Sequence, residues 1–420
     1  MLKIFFLGLM STGIPVAIAM AGASLIYILI SGDLPGFTVV HRMIGGIDSF
    51  PLLAVPFFIL AGNLMNNAGI TNRIYNYALA LVGWLKGGLG HVNVLGSVIF
   101  AGMSGTAIAD AAGLGTIEIK AMKDHGYATE FAVGVTAASA TLGPIIPPSL
   151  PMIIYGVSAE ASIGDLFLGG VIPGLLMAVA LMIMVRAIAI RRNLPRVPFP
   201  SGRDVWLAFK GAFWALLCPV VLFGGMMSGY FTATESAAVA AFYALVVGLG
   251  YGEFRVRDLP RIVLDTVETT GVMMALVMSA ALLAYALSLS RLPQNFGGWL
   301  TQTVTSPIMY LLLVNVILLV VGCFMEAIAA MLILIPILVP PAIALGIDPI
   351  QFGVVVVLNL MIGTITPPVG IVLFVTSRVA NLPFAAVVRA TLPFLWPLLA
   401  VLVAITLVPS LTTWLPGVMR

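Results

Sequence analysis

The chain has 420 residues, 61% of them hydrophobic and only 8% charged, with a mean hydropathy of +1.15. A soluble domain carries roughly a quarter charged residues, so this composition belongs in a bilayer. The formal charge of +3, with an isoelectric point near 8.9, calls for no nucleic-acid partner, because membrane proteins keep Lys and Arg on the cytoplasmic side.

The length allows about a dozen spans of ~20 residues with short loops. From Lys3 an apolar run reaches Ile30. It is too long for a signal-peptide core and lacks a cleavage pattern, so it reads as the first span. Residues 31–49 are polar and interfacial. A span over 51–66 returns to the cytoplasm near Arg73, and 72–86 reads as an amphipathic helix in the membrane surface.

The apolar run 91–119 would place Lys120 and Lys123 outside the cell if it crossed once. Gly, Ser and Thr at Met103-Ser104-Gly105-Thr106 predict instead a re-entrant hairpin that turns back there. Residues 130–157 form a second apolar segment, interrupted at Gly143-Pro144-Ile145-Ile146-Pro147-Pro148. A periplasmic loop with Glu160 and Asp165 follows, then a return span over 166–190. Arg186, Arg191, Arg192, Arg196, Arg203 and Lys210 mark one cytoplasmic link, and Arg255, Arg257 and Arg261 mark another. Spans over 205–228 and 235–250 join them. Thr232, Thr234 and Glu235 read as the start of the second of these, a hydroxyl cap with an acid in the first turn.

The second half repeats these parts. Residues 262–289 cross, 306–339 form a hairpin broken near 323–326, and 350–376 are interrupted at Gly363-Thr364-Ile365-Thr366-Pro367-Pro368. The last span covers 393–408. A fixed offset of 220 places Gly102 on Gly322, Ala107-Ile108-Ala109 on Ala327-Ile328-Ala329, Gly126 on Gly346 and Pro173 on Pro393. The halves start on opposite sides of the membrane, so they are inverted repeats. Paired Gly/Pro-broken segments in matching places point to a transporter's binding site.

A broken helix leaves bare carbonyls at the end of its first half, which suit a dehydrated cation, and bare amides at the start of its second, which suit an anion. Gly143 and Gly363 allow close approach, and Pro147 and Pro367 end the first half-helices. Ser149, Thr364 and Thr366 add hydroxyl oxygens, as do Ser104 and Thr106 at the facing hairpin tip. Two such sites suggest two sodium ions beside one substrate, whose contacts fall to Thr106, Pro147, Ser149, Glu326, Pro367 and Arg378.

Among the intramembrane acids, Glu326 holds a proton, supports a cation or caps a helix; Asp110 is similar; Glu118 meets Lys120 or Lys123. Arg378 binds a substrate carboxylate or anchors the cytoplasmic end. Cys218 and Cys323 read as small buried hydrophobes. Gly102-Met103-Ser104-Gly105 also looks like the nucleophile motif of an intramembrane serine protease, but His41, His91 and His125 all fall in loops or at membrane edges, leaving Ser104 without a base. No Walker, dinucleotide or zinc-protease motif appears, and no enzymatic activity or cofactor is expected.

The stretches 102–110, 143–149, 229–235 and 363–370, with Phe57 to Met65, resemble the large membrane subunit of tripartite ATP-independent periplasmic (TRAP) transporters over essentially the whole chain. The resemblance implies an all-α polytopic, elevator-type ion transporter fold with two re-entrant hairpins and two broken helices. It implies a scaffold span with an interfacial segment at 1–49, a first repeat at 50–190, a two-span scaffold linker at 191–261 and a second repeat at 262–420. It implies sodium at Ser104, Gly105, Gly143 and Ile146, and again at Gly322, Gly363 and Thr366. The implied partners are a separate small four-span membrane subunit and a periplasmic solute-binding protein. The expected activity is sodium-coupled uptake of a small organic anion, such as a carboxylate, across a bacterial inner membrane. The alternative is a stand-alone sodium- or proton-coupled anion carrier.

Overall fold

The computed structural model describes residues 2–31, 36–290 and 306–419, and every regular element among them is helical. Eight described segments are long and apolar enough to cross a membrane. The first apolar run is not one helix. It divides into α1 (Leu2–Ser11) and α2 (Val16–Ser31), because Gly13 takes a left-handed φ of 78° and Pro15 follows. Helix α3 (Gly36–Ile47) is amphipathic, and α4 (Ala54–Asn67) and α5 (Ile70–Val82) follow, split at Gly69 with φ 62°.

The first hairpin is α6 (Gly88–Ser104), the short α7 (Ala107–Ala112) and α8 (Leu114–Asp124). Its arms run antiparallel: the Tyr127 hydroxyl accepts from the Leu89 amide at the base, and Asn93 donates to Glu118 further in. Gly113 divides the return arm in two, a break the expected hairpin did not include. The broken helix follows as α9 (Thr129–Ser139), with one 3₁₀ turn to Leu142, and α10 (Leu150–Ser158). Then come α11 (Ile163–Arg191), α12 (Gly202–Met227) and α13 (Ala233–Tyr251). Thr232 and Glu235 form a reciprocal capping box at the start of α13, as the sequence predicts.

The second repeat opens with α14 (Leu259–Leu289). Its hairpin is α15 (Pro307–Phe324) and α16 (Ala327–Ala344), closed at the base by the Tyr310 hydroxyl donating to the Leu338 carbonyl at 2.6 Å. Its broken helix is α17 (Pro349–Gly363) and α18 (Ile371–Ala380). The last span, α19 (Phe384–Leu407), begins well before the expected Pro393. It runs through Pro393 and Pro397, since membrane helices tolerate proline where neighbours cover the freed backbone. A terminal helix, α20 (Ser410–Met419), was not foreseen.

The two broken helices run in opposite directions. The far end of α10 meets the start of α17, where the Tyr155 hydroxyl donates to the Pro349 carbonyl at 2.9 Å. The chain that leaves α18 comes back to α9: a Cβ on Gly134 would press on the Ala390 carbonyl, and the Phe131 and Phe394 rings lie 6.2 Å apart. Antiparallel broken helices, each served by its own hairpin, are what an inverted duplication requires.

Candidate functional site

Each hairpin tip packs against the break of its own repeat. In the first repeat, Gly105 sits at φ 61° and a Cβ there would lie 2.9 Å from the Pro148 carbonyl oxygen. A Cβ on Gly143 would lie 3.2 Å from the Thr106 carbonyl oxygen. The contact is closer still in the second repeat. A Cβ on Gly363 would lie 2.7 Å from both the Cα and the carbonyl carbon of Gly322. Only glycine lets two backbones meet this way. The Val369 and Gly370 amides donate to the Cys323 carbonyl at 3.2 and 3.4 Å, tying the second break to its tip. Pro147-Pro148 and Pro367-Pro368 are both cis peptides, another match between the halves.

The predicted sodium residues are therefore neighbours. Among the described residues, no hydrogen bond reaches the carbonyl oxygens of Ile146, Pro147 or Gly322. The Thr366 hydroxyl donates to the Ile362 carbonyl at 2.7 Å, which leaves its lone pairs free. The Ser104 side chain lies outside the described residues.

Both tips and both breaks border one cavity of about 650 Å³. Its wall includes the first turns of α7, α10, α16 and α18, at Ala107, Leu150, Ala327 and Ile371. Four helices thus present their amide ends to one space. The Thr106 hydroxyl caps α7 by accepting from the Ala109 amide, and the Glu326 carboxylate caps α16 by accepting from the Ala329 amide. Both residues line the cavity, as does Thr364.

Ser149 caps α10 but is fully buried: its hydroxyl accepts from the Met152 amide and donates to the Pro144 carbonyl. Pro147 and Pro367 are not among the lining residues, and Arg378 is exposed in the last turn of α18, away from the cavity. Among the described lining residues, Glu326 is the single charged side chain.

The opposite wall was missed. Asn63, Asn66, Asn72 and Thr71 come from the end of α4 and the start of α5, and Thr269 and Met273 from α14. Asn63 donates to Thr266 at 3.0 Å, and the buried Asn66 carbonyl oxygen has no partner among the described residues. The signal was three asparagines, 63, 66 and 67, inside an apolar span.

Two asparagine clamps, also missed, fix each hairpin to its broken helix. Asn93 donates to Glu118 and to Thr136, and accepts from Ser139 at 2.7 Å. Asn359 donates to Asn315, which donates to Thr406. The clamps lie about one turn before Gly143 and Gly363. Glu118 thus turns inward and is 1% exposed, while Lys120 and Lys123 stay exposed, which corrects the expected pairing. Asp110 is also buried. His91 is buried near the start of α6, the opposite end of the helix from Ser104. Cys218 and Cys323 are buried thiols, as expected.

Comparison with known proteins agrees with this geometry. The chain is 46% identical to the sialic acid TRAP transporter large permease protein SiaM of Vibrio cholerae, across 98% of this chain and 96% of that protein. It is 42% identical to the C4-dicarboxylate TRAP transporter large permease protein DctM of Pseudomonas aeruginosa, across 88% and 87%. The solved YdaH transporter of Alcanivorax borkumensis shares the fold, with a TM-score of 0.68 at 16% identity over 89% of both chains. Residues 3–411 match the tripartite ATP-independent periplasmic transporter, DctM component. The chain belongs to that family, as a large permease component and multi-pass membrane protein.

Proposed function

We propose that this permease imports a small organic anion, such as a carboxylate, into a bacterial cytoplasm, driven by sodium entering with it. The observation that carries the reading is the shared cavity: four helix amide ends, one carboxylate and no basic side chain among its described lining residues. Helix N-termini favour an anion by about 0.3–1 kcal/mol each, and up to ~2 in buried geometries. That does not offset the desolvation of a bound carboxylate next to Glu326, which costs several kcal/mol. Cations close by supply the missing charge. The hairpin–break contacts at Ser104, Gly105, Gly143 and Ile146, and at Gly322, Gly363 and Thr366, offer neutral oxygens next to the cavity. A sodium ion at each lowers the energy of the anion, which couples their movements.

Cargo arrives from a periplasmic solute-binding protein, and a small membrane subunit completes the inner-membrane assembly. Relatives bearing the names sialic acid and C4-dicarboxylate transporter fit an acidic cargo. The asparagine clamps make each hairpin move with its broken helix, so the pair forms the sliding body of an elevator against α1–α5 and α12–α14. Uptake into proteoliposomes with the solute-binding protein supplied outside, with and without an inward sodium gradient, tests the reading. Accumulation that persists without sodium would overturn the coupling.

A further inference from the structure

We propose that the basic corner at the α11–α12 link binds the phosphate headgroups of anionic membrane phospholipids, a role separate from transport chemistry and independent of the sodium assignment. The link has no helix of its own and is stapled to the α5–α6 corner. The Val197 amide donates to the Gly83 carbonyl at 3.2 Å, the Tyr127 hydroxyl donates to the Pro195 carbonyl at 2.7 Å, and the Trp84 and Phe199 rings meet edge to face at 5.2 Å. The link carries Arg191, Arg192, Arg196 and Arg203 next to the corner that holds Lys86, and all five are exposed. The acid beside them, Asp204, is occupied: it accepts from the Ser201 amide and hydroxyl in a capping box. The ion pair found among the described residues, Arg73–Glu253, lies elsewhere. Among the described residues none of these five cations forms an ion pair, and Arg203 alone has an acid beside it, the capped Asp204.

Topology alone needs cations on this side, not a corner built to collect them. The ligand class follows from what lies next to the charge. Trp206 is 63% exposed and Phe199 75%, which suits the headgroup level. Above them α12 is the least buried of the described spanning helices and shows Leu207, Phe213 and Val220 outward. An acyl chain has an apolar track leading directly from the charged corner. A soluble anion would use the cations and leave the track empty.

Binding of phosphatidylglycerol, phosphatidylethanolamine and inorganic phosphate to the purified full chain in detergent, followed by native mass spectrometry, tests the site. Phosphatidylglycerol is expected to be retained over phosphatidylethanolamine. The double change Arg192→Gln and Arg196→Gln is expected to weaken it about fivefold per charge removed. The control Arg257→Gln with Arg261→Gln, which removes the same charge from the other basic link, is expected to change nothing. Equal retention of the two lipids, an equal effect of the control, or full competition by inorganic phosphate would each overturn the proposal. So would displacement of the lipid by the small membrane subunit, which would make the face that subunit's seat.

Discussion

Replacing Gly363 with alanine tests the second hairpin–break contact at atomic scale. The added methyl would sit 2.7 Å from the Cα and carbonyl carbon of Gly322 and 3.0 Å from its oxygen. Ordinary contact begins near 3.4 Å, so the tip and the break must part by about 0.7 Å. Backbone on both sides offers no flexible end to swing away. Overpacking of this kind costs about 1–3 kcal/mol. A metal site tolerates displacements of only about 0.2 Å, so the strain falls on the ion. Converted to affinity, the half-saturating sodium concentration for uptake rises roughly fivefold to 150-fold. Uptake rate against sodium in proteoliposomes measures it, with thermal unfolding of the same preparation to show that the chain folds. Gly250→Ala is the control, since nothing lies within 4 Å of a Cβ there. A Gly363→Ala protein with the parent's sodium curve would refute the reasoning.

Thr366→Val removes an oxygen but keeps the shape, and is expected to weaken sodium dependence several-fold with unfolding temperature unchanged; an unaltered sodium curve counts against that site. Glu326→Gln keeps an acceptor for the Ala329 amide, so sodium-driven uptake is expected to survive; uptake that vanishes in a folded protein points to proton coupling instead. Asn66→Leu takes an unpartnered carbonyl oxygen from the cavity wall, and should raise the substrate concentration for half-maximal uptake without moving the sodium curve; a parent-like substrate curve removes Asn66 from the site. Asn93→Leu strips Glu118, Thr136 and Ser139 of their shared partner. At about 1–3 kcal/mol for each orphaned polar group, a clear fall in unfolding temperature is expected, and none would mean the clamp bears no load.

The breaks were legible because Gly and Pro act through local backbone, which sequence shows directly. Gly143 to Pro148 and Gly363 to Pro368 end helices wherever they stand, and the offset of 220 gave the duplication. Which residues face the cavity was not legible, because side-chain direction depends on packing from distant elements. Asn63 and Asn66 reach the wall only because α4 is laid against α14, about 200 positions away in sequence. Glu118 looked like a partner for Lys120, its near neighbour, until the antiparallel return of α8 set it against Asn93. Arg378 had the right chemistry but stands at the wrong end of α18. Pro393 signalled a helix boundary that surrounding helices override. Gly13 and Gly113 divide runs that are apolar enough overall to predict a single helix each.

The most direct measurement counts radioactive sodium entering proteoliposomes together with labelled substrate, the binding protein and the small subunit being present. Sodium is predicted to enter only when substrate does, at a constant ratio, and Gly363→Ala should slow both together. Substrate that accumulates while no sodium moves would show that the paired tips and breaks hold no coupling ion.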